Sequence, residues 1–484
     1  MKWLLLLLAT PVVAEPVFEP VTIPSHVYDG GWEHFVGGGI AAFDCDGDAL
    51  PELVAAGGTN PVMLLRNRGD MVFEAGAFPA ITGASGAYAL DLDGDAVDDL
   101  VILRVGENVT LKGDGACGFA VHDFGVPGGD RWTTAFSATW EAGRDRPTLA
   151  FGNYVDRDDP DGPFRACDDN LLLRPEPQGY RATVLTPGFC ALSILFSDEN
   201  RNGAATLRLS NDRHYYVSGG TEQMWSLTEG RFLGPDDGFD GPSIWGMGIA
   251  SRDITGDGRP DLMLTSMGDQ LTMLSTATGL TMAPFDIGTF AQRPHVGDDG
   301  RPSTGWHAAW GDVDNDGDAD LFIAKGNVDQ MPDMAIEDPN NLLLNEDGRF
   351  REVSEAAGVA STYRGRGAVL ADLDGDGRLD LAVVNRRAPL EVWKNVSDAG
   401  NALSITLEQP GGNRAGVGAW VEVRTGTTVQ TQELTVGGGH AGGSVLPMHF
   451  GIGDADSAEA RVIWPDGDVS DWVTVTPGPV RLIR

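Results

Sequence analysis

The sequence predicts an all-β protein, with a seven-bladed β-propeller followed by a small β-sandwich-like domain. Two observations predict this fold. An acidic pattern, Asp-x-Asp-x-Asp-x-x-x-Asp/Glu before an apolar run, recurs between residues 44 and 380. The 66 glycines and 28 prolines make up about a fifth of the 484 residues, which indicates many turns and little helix. We expect a signal peptide at 1–14, the propeller at 15–398 and the second domain at 399–484.

The first 14 residues have the pattern of an export signal. Lys2 precedes an apolar stretch from Trp3 to Ala9, and small residues lead to a cleavage site after Ala14. We therefore expect a secreted or periplasmic protein; a retained anchor is the alternative. The apolar stretch is shorter than the roughly 20 residues of a membrane span, and no later segment reaches that length.

Four cysteines in an exported chain can form up to two disulfides. Three full pairings of Cys45, Cys117, Cys167 and Cys190 are open from the sequence, and Cys167 with Cys190 is the more local choice. The net charge of −37 argues against a nucleic-acid partner.

The acidic pattern occurs in five copies that we call complete, the third of which has Thr255 in place of the second aspartate. Each copy lies between two short β-like runs, so that each acidic loop is a hairpin connection. The copies begin at Asp44, Asp91, Asp253, Asp312 and Asp372. Two weakened copies fill the long gap between the second and third, at residues 140–149 and 198–206. The resulting mean spacing of about 55 residues suits a four-stranded blade. Seven such blades closed into a ring leave no long sheet edge exposed.

Oxygen-bearing side chains at positions 1, 3, 5 and 9 of the loops predict calcium sites, because hard, charged oxygen ligands suit Ca²⁺ better than Zn²⁺ or copper. A strand follows each loop, and position 12 is apolar, which excludes an EF-hand. We expect about five Ca²⁺ sites, with a sixth left open at 198–206. The predicted ligands are Asp44, Asp46, Asp48, Glu52, Asp91, Asp93, Asp95, Asp99, Asp198, Asn200, Asn202, Asp253, Thr255, Asp257, Asp261, Asp312, Asp314, Asp316, Asp320, Asp372, Asp374, Asp376 and Asp380.

Simple polar turns are the alternative interpretation of these stretches, since Asp and Gly favour turns by themselves. Five copies with the same oxygen positions favour calcium. Ala49 and Ala96 stand at the sixth position, where the other loops have glycine, and so we expect a slightly different turn in the first two loops.

The repeats resemble the FG-GAP/VCBS calcium repeats of integrin-α-type β-propellers, over roughly residues 30–396. The segment after Asn401 is similar to the ASPIC/UnbV domain, through residues 413–419, 437–440, 449–453 and 464–467. This pairing of domains resembles the cartilage acidic protein family and its bacterial relatives. The resemblance implies a secreted calcium-binding protein without an established catalytic role. The chain departs from the most regular members at the two weakened loops.

The C-terminal segment alternates apolar and polar residues, which predicts a small all-β sandwich with Trp464 in or near its core. His440 and His449 could bind a metal, but without spaced Cys or His partners a structural role is favoured. The propeller tryptophans are interpreted as packing between blades, with a sugar-binding platform as the alternative.

No nucleophile elbow, H-E-x-x-H motif or cysteine nucleophile was found, and we therefore expect a non-enzymatic, adhesion-type binding or scaffold protein. A carbohydrate-active or other hydrolase using the propeller funnel is the alternative. We expect a monomer that binds an unidentified extracellular protein or glycan, through long loops at 156–164, 293–304 and 327–340.

Three short motifs carry weaker hypotheses. The tripeptide Arg68-Gly69-Asp70 would suit a cell-surface receptor, but it sits where a blade turn is expected. Asn108 and Asn395 match the glycosylation sequon, which matters only in a eukaryotic source.

Overall fold

The computed structural model describes residues 15–127, 129–159, 166–212, 220–277, 279–290 and 300–484. The predicted signal peptide and parts of two predicted partner loops, 160–164 and 293–299, lie outside the described residues. Strands are the dominant secondary structure of the described chain, which has one short helix, α1 (Ser354–Ala357), and three 3-10 turns (Trp32–His34, Pro235–Asp237 and Phe285–Ile287). None of its helices has the length and apolar character needed to cross a membrane.

Seven four-stranded units follow one another in the described chain, consistent with the blades that the repeat spacing predicts. Strand β1 (Phe18–Pro20) comes first and is followed by blade 1, with β2 (Ile40–Phe43), β3 (Glu52–Ala55), β4 (Met63–Asn67) and β5 (Phe73–Ala75), and blade 2, with β6 (Ala84–Leu90), β7 (Asp99–Gly106), β8 (Val109–Gly113) and β9 (Phe119–Val121). Blade 3 has β10 (Arg131–Thr139), β11 (Thr148–Asn153), β12 (Asn170–Pro175) and β13 (Tyr180–Leu185); blade 4 has β14 (Ala191–Ser197), β15 (Thr206–Asn211), β16 (Gln223–Ser226) and β17 (Arg231–Phe232); and blade 5 has β18 (Gly246–Arg252), β19 (Asp261–Ser266), β20 (Leu271–Thr276) and β21 (Gly279–Met282). Blade 6 has β22 (Gly305–Gly311), β23 (Asp320–Lys325), β24 (Asn341–Glu346) and β25 (Arg349–Glu352), and blade 7 has β26 (Arg364–Ala371), β27 (Asp380–Arg386) and β28 (Glu391–Asn395).

The ring closes on itself. Strand β1 pairs with β28 and supplies the fourth strand of blade 7, with Phe18 opposite Asn395. The first strands of successive blades contact one another in cyclic order, and β26 of blade 7 contacts β2 of blade 1. Closure leaves the outer strands as the free edges of the blades, and the buried first strands line the centre.

Apolar clusters fill the spaces between neighbouring blades. The predicted packing role of the tryptophans agrees with this arrangement, because Trp225 lies in the cluster between blades 3 and 4 and Trp306 in the cluster near the ring centre. Two disulfides tie loops together: Cys45 to Cys117, between blades 1 and 2, and Cys167 to Cys190, between blades 3 and 4. The second is the more local of the pairings that the sequence left open.

The C-terminal part forms two packed sheets around one core, as the alternating pattern predicts. Trp464 is buried in that core. The strands of this part are β29 (Asn401–Glu408), β30 (Trp420–Thr425), β31 (Thr428–Glu433), β32 (Gly442–Ser444), β33 (Met448–Gly453), β34 (Ala458–Ile463), β35 (Val473–Val475) and β36 (Gly478–Ile483). One sheet has the order β33-β29-β36 and the other β31-β30-β34-β35.

Residues 435–444, between β31 and β33, leave this sandwich and enter the centre of the propeller ring; we call this segment the plug. Within it, β32 runs parallel to β6, with Gly442 opposite Ala87. Single β-bridges join Val436, Gly437 and Gly439 to the first strands of blades 3, 4 and 5. The glycine run therefore passes among the inner strands, at positions where side chains would not fit.

The plug carries a buried, neutral histidine. His440 Nε2 accepts the N–H of Gly37 at 3.2 Å, and its Nδ1 therefore carries the proton and donates to Met247 O at 3.0 Å. Burial, together with the nearby charge of Arg366 and the ring of His307, lowers the pKa of His440 to about 3. The ring is thus a structural part of the plug, in line with the structural role favoured from the sequence.

The plug histidine makes stability depend on pH. The unfolded chain binds a proton at His440 near its ordinary pKa of 6.5, and the folded chain does so only near pH 3. The free energy of unfolding therefore falls as the pH drops from 6.5 towards 3. We expect this residue to contribute a loss of about 1 kcal/mol per pH unit between pH 6 and 5. Urea unfolding of the wild type and His440→Gln at pH 7, 6 and 5 measures the difference in slope; equal slopes would contradict the assignment.

Candidate metal sites

The five complete acidic loops lie on one side of the ring. Each connects the first and second strands of its blade, at β2–β3, β6–β7, β18–β19, β22–β23 and β26–β27. Equivalent hairpin connections of successive blades emerge at the same end of their sheets. We call this side the loop face. The connection between the second and third strands of a blade lies at the other end, so that loops such as 327–340 lie on the opposite face.

The first aspartate of each loop shapes its turn. In blade 2, Asp91 accepts the backbone N–H of Gly94 at 2.7 Å and of Ala96 at 2.8 Å. Asp95, at the fifth position, accepts the N–H of Val97 at 3.0 Å. The backbone N–H of the sixth loop residue donates in the same way to Asp44, Asp253, Asp312 and Asp372. The aspartates thus fold the backbone around the point on which their remaining lone pairs converge.

The alanines at the sixth position adopt the same left-handed turn as the glycines. Ala49 and Ala96 have φ of 67° and 69°, against 82° at Gly258 and 84° at Gly377. The expectation of a different turn in the first two loops is wrong: the loop hydrogen bonds impose the left-handed conformation on alanine, at a steric cost.

Replacing alanine by glycine and glycine by alanine at the sixth loop position should change the free energy of unfolding in opposite directions. We expect Ala96→Gly to raise the free energy of unfolding by about 1 kcal/mol, because glycine adopts the left-handed region without strain. Gly377→Ala should lower it by a similar amount, since a Cβ there has no atom within 4 Å and only the conformational cost remains. Chemical denaturation of both variants checks this, and a loss of stability in Ala96→Gly would contradict it.

The ninth position is buried and held by two backbone donors. Asp380 is fully buried and accepts the N–H groups of Leu373 at 3.0 Å and Asn395 at 2.8 Å. Burial, reinforced by neighbouring aspartates, raises the pKa of Asp380 to about 8 and that of Asp99 to about 7. The equivalent contacts recur at Asp261 and Asp320. Such carboxylates disfavour their negative charge unless a cation is close.

The third position leaves an oxygen without a partner. Among the described residues, the Oδ1 atoms of Asp46, Asp314 and Asp374 are buried and accept no hydrogen bond. The side chain of Asp374 is only 5% exposed. Buried carboxylate oxygens are normally satisfied, so three unpartnered ones at the same loop position fit a bound cation at each.

The predicted ligands converge in part. In four loops, three carboxylates each offer an oxygen within 4.8 Å of the others. These sets are Asp44, Asp46 and Asp48; Asp91, Asp93 and Asp99; Asp312, Asp314 and Asp316; and Asp372, Asp374 and Asp380. The fourth predicted carboxylate of each loop, Glu52, Asp95, Asp320 or Asp376, is outside its set. In the blade 5 loop, Thr255 Oγ1 lies 3.2 Å from Asp261 Oδ2, while Asp257 accepts the N–H of Arg259 at 2.9 Å.

The donor set fits a hard cation. All grouped ligand atoms in these four sets are carboxylate oxygens, which Ca²⁺ prefers. Cys45 and Cys117 also lie close to Glu52, but they are joined in a disulfide and cannot coordinate as thiolates.

The weakened loop at 198–206 keeps the turn but contacts the second domain. Asp198 accepts the N–H of Asn202 at 3.1 Å, as a first-position aspartate does. Its own N–H donates to Glu433 Oε1 at 2.7 Å, and its carbonyl accepts Trp420 Nε1 at 3.1 Å. Arg201 forms an ion pair with a glutamate of β30 at 2.9 Å. No described contact brings Asn200 to the other two predicted ligands.

The other weakened loop, at 140–149, has an ion pair where the complete loops have convergent acidic side chains. Glu141 Oε1 accepts Thr148 Oγ1 at 2.6 Å and Arg174 Nε at 2.8 Å. An arginine from the third strand thus supplies the positive charge that a metal would supply elsewhere.

The second domain covers part of the loop face. Asn315 of the blade 6 loop donates to Gly400 O at 2.9 Å, and His449 contacts Gly377 O of the blade 7 loop at 3.1 Å. Over blades 1 and 2 a cleft of about 670 Å³ separates the loops from the second domain, with Asp44 and Asp91 on one side. Metal loops and domain interface therefore share one side of the ring, which the sequence did not indicate.

The short motifs have local structural roles. Arg68-Gly69-Asp70 forms the exposed turn between β4 and β5, as blade geometry predicts, and Arg68 pairs with Glu74 at 2.9 Å. Asn395 is fully buried and bonded to backbone carbonyls, and so it is not available for glycosylation. Asn108 is half-buried and donates to Thr133 Oγ1 at 3.1 Å.

Comparison with known proteins supports both parts of this architecture. The model of the FG-GAP-like repeat matches residues 44–102 and 327–383, and the ASPIC and UnbV model matches residues 409–482. Cartilage acidic protein 1 of Mus musculus is 25% identical over 515 aligned positions, covering 96% of this chain and 76% of that protein. The Homo sapiens protein of the same name is 25% identical over 48% of this chain and 34% of its own length. The solved structure of BBS1N in complex with ARL6DN has a TM-score of 0.48 at 9% identity, over 80% of this chain and 99% of that one.

Proposed function

We propose that this chain, which joins FG-GAP-like repeats to an ASPIC and UnbV domain, is an exported calcium-binding scaffold protein that presents a binding surface outside the cell or in the periplasm. The observation that carries the calcium assignment is the set of buried, unpartnered third-position oxygens in three acidic loops. The predicted ligands at positions 1, 3, 5 and 9 would hold one ion in each complete loop. Bound calcium would neutralise crowded carboxylates and stiffen the loop face.

Two features support an exported location. Both cysteine pairs are joined as disulfides, which persist in oxidising compartments. The similarity to cartilage acidic protein 1 is compatible with that location. We propose the domain limits 15–398 and 399–484, with the plug as a C-terminal segment inserted into the propeller.

The face opposite the acidic loops is the proposed partner surface. Large apolar side chains are exposed there, among them Trp32 at 44%, Ile336 at 40% and Tyr363 at 48%. Trp32 packs edge-on against buried Trp132, with ring centroids 5.2 Å apart, so that the exposed ring has a rigid base. Amphipathic aromatic rings on a rigid scaffold suit protein or glycan ligands.

A catalytic function through a central funnel receives less support. The plug occupies the ring centre, where such an enzyme would bind its substrate. The family similarities also suggest a non-catalytic scaffold. We therefore propose binding, and retain a carbohydrate-active hydrolase as the second candidate.

The metal content of the purified protein tests the calcium assignment. We expect about one Ca²⁺ for each of the five complete loops by elemental analysis and native mass spectrometry after equilibration with calcium. Asp314→Asn should lose one ion and keep the others, because it weakens a single loop. Asp145→Asn, in the loop of blade 3 that lacks convergent acids, is the control and should keep all ions. A wild-type protein that binds no calcium would contradict the proposal.

A further inference from the structure

Three acidic loops share a feature that the other two lack: a basic side chain reaches their third-position aspartate from the third strand of the same blade. In blade 2, Lys112 Nζ lies 2.5 Å from Asp93 Oδ2 and 2.7 Å from Asp95 Oδ2. In blade 7, Lys394 pairs with Asp374, and its Nζ lies 3.1 Å from Asp376 Oδ2.

Blade 1 has the same arrangement with an arginine. Arg66 Nη2 lies 2.5 Å from Asp46 Oδ2 and Arg66 Nε lies 3.4 Å from Glu52 Oε1. In each of the three loops, one oxygen of the third-position aspartate therefore faces a tethered cation. In blades 1 and 7 its other oxygen, Oδ1, is buried without a partner.

Strand register identifies the counterparts of these basic residues. Leu111 stands opposite Leu100 in blade 2, and the residue after Leu111 is Lys112. Leu343 stands opposite Leu321 in blade 6, so that the counterpart there is Leu344, which is fully buried. The same reasoning gives Leu274 in blade 5, where the third loop position is a threonine.

Blade 6 is therefore the natural comparison, because it keeps carboxylates at all four positions without a third-strand cation. Within the described residues, Asp314 forms no ion pair, and its buried Oδ1 has no partner. Buried Arg252 affects Asp312 and Asp320 electrostatically, but it makes no described ion pair with either. Among the described residues, no ion pair therefore occupies an oxygen of the third-position aspartate in the blade 6 loop.

A tethered ammonium or guanidinium beside a metal site acts on metal binding in two ways. It repels the divalent ion across a few ångströms of partly desolvated space. It also holds an oxygen that the ion needs, so that the contact must loosen when the ion enters. Both effects lower affinity, and neither prevents binding, because the basic side chains are about a fifth to a third exposed and can turn outwards.

We propose that Arg66, Lys112 and Lys394 are tethered cations that set the calcium affinity of their loops, so that blades 1, 2 and 7 bind calcium more weakly than blade 6. They neutralise the third-position carboxylate when calcium is absent. The inference rests on the proposed calcium function and adds a graded order of filling to it.

Calcium titration of the full chain followed by native mass spectrometry tests this order. In the wild type, we expect ions to bind in at least two phases. Lys394→Met and Lys112→Met should each raise the calcium affinity of one weak site by about tenfold, so that one ion binds at a lower calcium concentration. Lys394→Arg retains the charge and should leave the curve nearly unchanged.

Arg181→Met is the matched control for net charge. Arg181 is a largely exposed residue on the outer strand of blade 3, whose loop lacks the acidic positions, and its side chain is 63% exposed. A shift in Arg181→Met equal to that in Lys394→Met would mean a general charge effect and overturn the proposal. So would superimposable curves for the wild type and Lys394→Met, while calcium binding itself would stand. A chain that bound no calcium in any variant would instead remove the proposed function.

Discussion

Removal of calcium by a chelator is expected to lower the midpoint of thermal unfolding by at least about 10 °C. An ion bound only by the folded state adds about 2.7 kcal/mol per site at a hundred times its dissociation constant, and five loops multiply this effect. The four ligand positions of these loops hold 19 carboxylates, which repel one another without a cation. Differential scanning calorimetry with calcium and with excess chelator measures the shift. Identical midpoints would show that the loops are only turns.

The pH dependence of the chelated protein provides an internal control. Without metal, burial raises the pKa of Asp380 to about 8 and of Asp99 to about 7, so that the folded chain binds more protons than the unfolded chain in this range. The stability of the metal-free protein should therefore fall as the pH rises from 6.5 to 8. Saturating calcium should largely remove this dependence, because the metal stabilises the ionised carboxylates. A slope that calcium leaves unchanged would contradict the assignment of these residues as ligands.

Substitution of one glycine beside the plug is expected to have the second large effect. A Cβ on Gly39 would lie 1.7 Å from the carbonyl oxygen of Ala441 and 2.3 Å from its carbonyl carbon. The plug cannot easily move away from Gly39, since its backbone pairs with the first strands of several blades at once. We expect Gly39→Ala to cost more than about 3 kcal/mol and to loosen the second domain from the ring.

Two measurements test the expected effect of Gly39→Ala. Chemical denaturation gives the loss of stability, and limited proteolysis detects a C-terminal domain that has separated from the propeller. Gly31→Ala is the control, because Gly31 has a φ of −72° and a Cβ added there would have no atom within 4 Å. A Gly39→Ala protein as stable and protease-resistant as the control would mean that the plug does not occupy the channel in solution.

The acidic loops were predictable because their information is local. Asp91, Asp93 and Asp99 lie on one short hairpin, and so their spacing in the sequence is enough to bring them close together. Short, nearly continuous apolar runs on either side identify the buried strands that hold each loop. The same local pattern predicts the all-β fold and the position of Trp464 in the second core.

Features that depend on residues far apart in the chain were not predictable in this way. The loop at 198–206 looks like a decayed metal site in sequence, but its partners Trp420 and Glu433 lie more than two hundred residues away. The basic residues Lys112 and Lys394 stand 13 and 14 residues after Asp99 and Asp380, the last acidic residues of their loops, and are recognisable only once strand register is known.

The sequence by itself determined the repeated strand–loop–strand unit, the oxygen positions and the change to a second domain, because each follows from residues within one hairpin. Only the tertiary structure decided that the Gly437–His440 stretch fills the ring centre, that Cys45 pairs with Cys117, and that the second domain rests on the loop face. The physical reason is that closure of the ring creates a narrow channel lined by backbone. Only a glycine-rich segment can enter such a channel, and no local sequence pattern predicts the location of that segment in the fold.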